Sequence, residues 1–100
     1  MILVRDVFKL KFGKSKEAVA AWKEGLAMFA KAGMKPCTTR LPTDLVGDYY
    51  TLVFESTHES LSAWENLAKT HMGTPDWQAW HAKVLQFNES GHREIFNILA

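Results

Sequence analysis

Residues 92–99 are apolar on both faces of the strand that their composition predicts: Ile95 and Leu99 fall on one side, Phe96 and Ile98 on the other. Residues 48–55 behave alike, with Tyr49 and Val53 opposite Tyr50, Leu52 and Phe54. A strand with two apolar faces needs cover on both of them. The chain is therefore limited to arrangements in which a sheet is roofed on each side.

Residues 2–12 predict the first strand. Ile2, Val4, Phe8, Leu10 and Phe12 share one face, and Arg5, Lys9 and Lys11 share the other with Leu3 and Val7. Gly13 ends this strand, and Ser15 is placed to cap a helix with the stripe Val19, Trp22, Leu26 and Phe29. Gly33 stops that helix. Residues 34–41 predict a second, weaker strand, which Pro36 places at an edge or gives an irregular start, and residues 42–47 its hairpin turn. After the third strand, Ser56-Thr57-His58-Glu59 has the spacing of a capping box and predicts the start of a second helix. That helix buries Leu61, Trp64, Leu67 and Ala68 and closes at Gly73. Thr74-Pro75-Asp76 opens a short third helix with Trp77, Trp80, His81 and Val84. Asn88 to Gly91 predicts a turn before the last strand.

The order is thus βαββαβ, an α+β domain whose helices cover one face of a four-stranded antiparallel sheet. With 100 residues there is room for a single domain, residues 1–100. Two helices and a short third cannot also roof the second face. Left bare, that face would be an apolar patch of several hundred Å², roughly the largest a soluble monomer shows. Covering it at about 25 cal/mol per Å² is worth several kcal/mol before association costs. A second copy, sheet against sheet about a two-fold axis, supplies the cover and predicts a homodimer. The other reading is that these side chains serve only loops and the helix layer.

Composition excludes several functions. The net charge is +1, with 12 basic and 11 acidic residues mixed along the chain, so no basic run exists to track nucleic acid. No apolar stretch approaches a membrane span. Cys37 is the lone cysteine, which rules out an internal disulfide and suits a reducing compartment. The start of the chain has no leader-like pattern, so the cytoplasm is the expected location. The four histidines, His58, His71, His81 and His92, show no zinc spacing, and no metal site is expected.

The candidate site rests on anomalies. Asp6 interrupts the apolar face of the first strand between Val4 and Phe8. A buried carboxylate must find a partner, reach water or take up a proton. Either it is a paired structural acid, with Arg93 or a helix N-terminus as partner, or it serves as acid or base in a pocket between sheet and helices. Trp22 and Trp64 have core spacing, whereas Trp77 and Trp80, with His81 beside them, are suited to line a cavity for a flat apolar ligand. His81 is either a surface or capping residue, or a proton shuttle or haem-iron ligand. One of Tyr49 and Tyr50 must face the helices and so reach the same cavity.

Three segments carry a family resemblance: Trp22-Lys23-Glu24-Gly25-Leu26, Leu61-Ser62-Ala63-Trp64, and Pro75-Asp76-Trp77-Gln78-Ala79-Trp80. Through them the chain resembles, over nearly its whole length, the NIPSNAP-type domains of the dimeric α/β-barrel superfamily. That likeness implies ferredoxin-like subunits joined through their sheets into a barrel, and a homodimer, but no defined activity. Relatives in the superfamily are the antibiotic-biosynthesis and haem-degrading monooxygenases. Carried over by position, the resemblance implies catalytic roles for Asp6, Trp64 and His81; Trp22, Tyr49, Trp77 and Trp80 are the candidates to bind the ligand on the reading of the residues themselves. Asp6 stands where the haem-degrading enzymes have asparagine, and residues 71–75 widen the Trp64–His81 separation. The expected function is binding of a small apolar ligand without a cofactor; the alternative is monooxygenation of an aromatic or porphyrin substrate, with haem as the one cofactor to test.

Overall fold

A computed structural model describes residues 1–100 as seven elements in chain order. These are β1 (Ile2–Leu10), α1 (Ser15–Lys31), β2 (Thr38–Arg40), β3 (Thr51–His58), α2 (Leu61–His71), α3 (Pro75–Leu85) and β4 (Asn88–Asn97). The strands form one antiparallel sheet in the order β2-β3-β1-β4. Interleaving the two strand–helix–strand halves places β1 and β3 at the centre, which is the ferredoxin-like arrangement.

Register decides which side chains meet. Asp6 sits opposite Phe54 on one side and Arg93 on the other, while Val4 sits opposite Ser56 and Ile95. Alternation then sends Val4, Asp6, Phe8 and Leu10 towards the helices, together with Leu52, Phe54, Ser56 and His58 of β3. The core packs α1 and α3 on this face through Leu10, Ala18, Ala21, Trp22, Phe29, Leu52, Trp80 and Val84. Trp80 lies edge-on to both Trp22 and Phe29 with ring centroids 4.8 Å away, and its Nε1 donates to the Ala21 carbonyl at 2.8 Å. Gly25 makes this approach possible, because a Cβ there would lie only 2.3 Å from atoms of the Trp80 indole.

Several boundaries differ from the sequence expectation, each for a local reason. The first strand stops at Leu10, and Phe12 is 77% exposed against the ring of Tyr50. Lys14 precedes α1 without a side-chain cap, so Ser15 is the first helical residue rather than the cap. The second strand shrinks to three residues after Pro36. The third begins at Thr51 because Tyr50 takes a φ of 60°, a left-handed conformation that breaks the ladder. It then runs on through Ser56 and His58, so the capping-box reading fails: Ser60 is the cap, accepting from the Ala63 N–H at 3.1 Å. The expected turn at 88–91 is already strand, entered through an irregularity opposite Lys9 and Leu10, and the last strand ends at Asn97 with Leu99 exposed.

The second helix also departs from expectation. None of its residues is fully buried; Leu61 is 47% exposed, and Trp64, Leu67 and Ala68 are half-buried. It stands off the sheet as an outer wall. No helix is long and apolar enough to cross a membrane.

The other face of the sheet has no covering element. Leu3, Val7, Val53 and Phe96 lie on it, but it is less uniformly apolar than the strand patterns suggest. A row of ion pairs crosses all four strands: Arg40–Glu55 at 2.7 Å, Glu55–Arg5 at 3.8 Å, Arg5–Glu94 at 2.7 Å and Glu94–His92 at 3.6 Å.

Candidate ligand-binding cleft

Between the sheet and its helices a cleft opens in two chambers of about 440 and 500 Å³, the first of them beneath α2. Both volumes lie in the range of roughly 300–1,000 Å³ typical of small-molecule sites. The chambers meet at Asp6, Met34, Phe54 and Met72, which line both. The first runs under α2, between Leu26 and Phe29 of α1, Trp64 and Leu67 of α2, and the 34–39 segment. The second runs under α3 and along β4, past Trp22, Trp77, Trp80, His81 and Arg93.

The junction is polar. Arg93 Nε donates to Asp6 Oδ1 at 2.5 Å, and the Arg93 guanidinium lies 4.9 Å from the centroid of the Trp64 ring. Asp6 thus has the partner that its buried position requires, and at 17% side-chain exposure it still faces both chambers. Both readings of this residue meet here: it is a paired acid, and it lines the pocket. One chain of contacts, Trp64–Arg93–Asp6, ties α2 to β4 and β1 across the cleft.

The first chamber also holds a buried polar pair. Ser56 Oγ and His58 Nε2 lie 2.9 Å apart on the helix-facing side of β3, and both residues are at least nine-tenths buried. Loss of water around His58 pushes its pKa below the usual 6.5, which keeps the imidazole neutral at neutral pH. Neither residue was expected at the site. The signal was present, since extending the alternation of Leu52 and Phe54 by two rungs reaches Ser56 and His58, but the capping-box spacing competed with it.

The expected residues separate into three groups. Asp6 and His81 line the same chamber, and Trp64 meets Asp6 through Arg93. Trp77 stacks on His81, ring centroids 4.5 Å apart and 16° from parallel, which holds the imidazole against an aromatic wall. Trp22 and Trp80 touch the cleft but are chiefly core, at 5% and 8% exposure. The Nε1 of Trp22 is buried without a hydrogen-bond partner, as is Oδ1 of Asn88 in the same chamber. Tyr49 does not belong to the site. It is 72% exposed and lines a separate depression with Phe12, Thr43 and Asp44, because the left-handed turn at Tyr50 takes it off the sheet. Nor does Tyr50 line the cleft.

No group of three or more His, Cys, Asp or Glu side chains is placed to hold a metal ion. The cleft offers instead apolar and aromatic walls, a carboxylate–guanidinium pair at its middle, and neutral donors and acceptors at Ser56 and His58.

No family model and no curated protein sequence matches the chain. Solved structures do. A NIPSNAP domain protein from Burkholderia xenovorans superposes with a TM-score of 0.84 at 18% identity, covering 100% of this chain and 96% of its own. A NIPSNAP family protein of unknown function from Agrobacterium tumefaciens gives 0.84 at 16% identity, covering 96% and 86%. SnoaB, a cofactor-independent oxygenase from Streptomyces nogalater, gives 0.74 at 12% identity, covering 99% and 93%. At such identities the likeness is one of fold, and the fold is the one the resemblance implied: that of NIPSNAP domains and antibiotic-biosynthesis-type monooxygenases.

Proposed function

We propose that this chain is one subunit of a homodimer and that each subunit binds a small apolar or aromatic ligand in its cleft. The observation that carries the reading is the state of α2. It turns Trp64 and Leu67 inward over a cavity, yet none of its 11 residues is fully buried. Apolar side chains held at the edge of an open cavity gain on the order of 1 kcal/mol each when a ligand covers them. The uncovered sheet face, with Leu3, Val7 and Phe96, is the surface through which two copies pair.

Calorimetric titration with naphthalene derivatives tests the binding. We expect saturable binding that Leu67→Arg, which sends a cation into the first chamber, abolishes without unfolding the protein. Absence of binding, or binding indifferent to Leu67→Arg, sinks the reading.

A second reading, cofactor-free monooxygenation, is favoured by one arrangement: Asp6 and His81 line one chamber that opens at Asp6 onto the chamber of Trp64. A quinol or polyphenolic substrate would gain one oxygen atom from dioxygen and be oxidised to the quinone level, while the other oxygen leaves as water with two hydrogens of the substrate. Oxygen uptake with such substrates should then fall sharply in Asp6→Asn and Trp64→Phe; unchanged rates in both remove the reading. Haem suits these residues poorly. The charged Asp6–Arg93 pair stands at the middle of the cleft, where the apolar body of a porphyrin would lie, and His81 is stacked on Trp77. Haemin titration should give no stoichiometric Soret band.

A further inference from the structure

The first chamber is walled mostly by Leu26, Phe29, Phe54, Trp64, Leu67 and two methionines, so the buried Ser56–His58 pair stands out as its deep polar feature. A buried hydroxyl and imidazole bonded only to each other satisfy one donor and one acceptor between them. The remainder is fixed by chemistry. If Nε2 accepts from the serine, the Ser56 oxygen keeps lone pairs to accept from a ligand. If Nε2–H donates, the serine O–H is free to donate, and Nδ1 is the accepting nitrogen. In either tautomer Ser56 Oγ retains hydrogen-bonding capacity beside the cavity that it lines.

We infer that the Ser56–His58 pair is the polar anchor of the cleft and selects ligands that carry a neutral hydroxyl on an apolar body. The inference rests on the cleft being the ligand site and adds which group the ligand must present, and to which atoms. A hydroxyl both donates and accepts, so it matches whichever half of the pair is left open. A carboxylate only accepts, so it could meet the serine in one tautomer alone, and it would set a charge beside an uncharged imidazole in an apolar chamber. Lys35, the one Lys or Arg lining the chamber, is exposed. Arg93 already holds Asp6. Burial keeps His58 neutral, which agrees with an uncharged anchor.

The test compares naphthol, its methyl ether and naphthoate, titrated calorimetrically into the full chain and into Ser56→Ala. One added neutral hydrogen bond is worth about a two- to tenfold change in affinity. We expect wild type to prefer naphthol to the ether by that factor, to bind naphthoate more weakly than either, and to lose the naphthol preference in Ser56→Ala, with the ether weakened less than naphthol. In wild type alone, the ring-proton resonances of His58 should shift with naphthol much more than with the ether, a readout that stands even where the variant folds poorly. Equal binding of naphthol and ether by wild type, a preference that survives Ser56→Ala, or tighter binding of naphthoate overturns the anchor and leaves the cleft in place. Binding of none of the three overturns both.

Discussion

Arg93 joins two parts of the molecule that the backbone keeps apart: its Nε donates to Asp6 on β1, and its guanidinium faces the Trp64 ring on α2. Removing it strands the Asp6 carboxylate beside Phe54. Arg93→Ala should therefore destabilise the fold by about 1–2 kcal/mol, the lower part of the range for a lost charged partner because Arg93 itself is partly exposed. Asp6→Asn should cost less, since a neutral amide can stay where a lone carboxylate cannot. Urea unfolding of the two single variants and the double variant should give a coupling of at least about 0.5 kcal/mol. Strict additivity would show that the pair contributes nothing.

The depressed pKa of His58 carries a pH signature. The unfolded chain takes up a proton near pH 6.5 while the folded protein does not, so stability is fully present above 6.5 and falls as the pH drops towards the folded-state value. Below that value the loss levels off. His58→Gln should lack this part of the slope, which unfolding experiments from neutrality down to roughly pH 5 will show. Parallel slopes in wild type and variant would mean that the imidazole titrates normally.

Gly25→Ala is a substitution that helix propensity alone would favour by about 1 kcal/mol. Here it should destabilise by about 1–3 kcal/mol, because the new methyl occupies the place of the Trp80 indole and displaces its bond to the Ala21 carbonyl. Pairing it with Trp80→Phe, which vacates part of that space, should recover some of the loss in thermal melts. A neutral or stabilised single variant would show that α1 and α3 are packed more loosely than this contact requires.

On the uncovered sheet face, Phe96 lies opposite Leu3. Phe96→Asp adds a carboxylate there without touching the core, so, with the proposed pairing, wild type should sediment as a dimer and the variant as folded single subunits. A wild-type protein that is already monomeric, or a variant that remains dimeric, rules out this face as the pairing surface.

The alternation of residues 2–10 and the three-and-four spacing of Trp22 and Phe29 made β1 and α1 legible, because both elements bury one face against the core. The position of Asp6 on that buried face followed from the same parity, whereas Arg93 was one of two partners open to it until the β1–β4 register placed it opposite. Tyr49 was misplaced because nothing in the sequence marks Tyr50 as left-handed; a tyrosine there is the work of surrounding contacts rather than local preference. Ser56 and His58 were missed because two local signals, strand parity and cap spacing, compete over the same four residues, and sheet pairing with Ile2 and Val4 decides between them. The apolar residues of α2 read as core, since periodicity reports which side of a helix is greasy and not how far it stands from its neighbour.

That distance has a consequence for what the protein can accept. A helix with no fully buried residue can shift at less cost than α1 or α3, and the contact of Arg93 with Trp64 and its two end connections tie it to the strands below. If the cleft binds ligands as proposed, guests of different thickness would be clasped by a shift of this wall against the opposite one, built on α1 and α3.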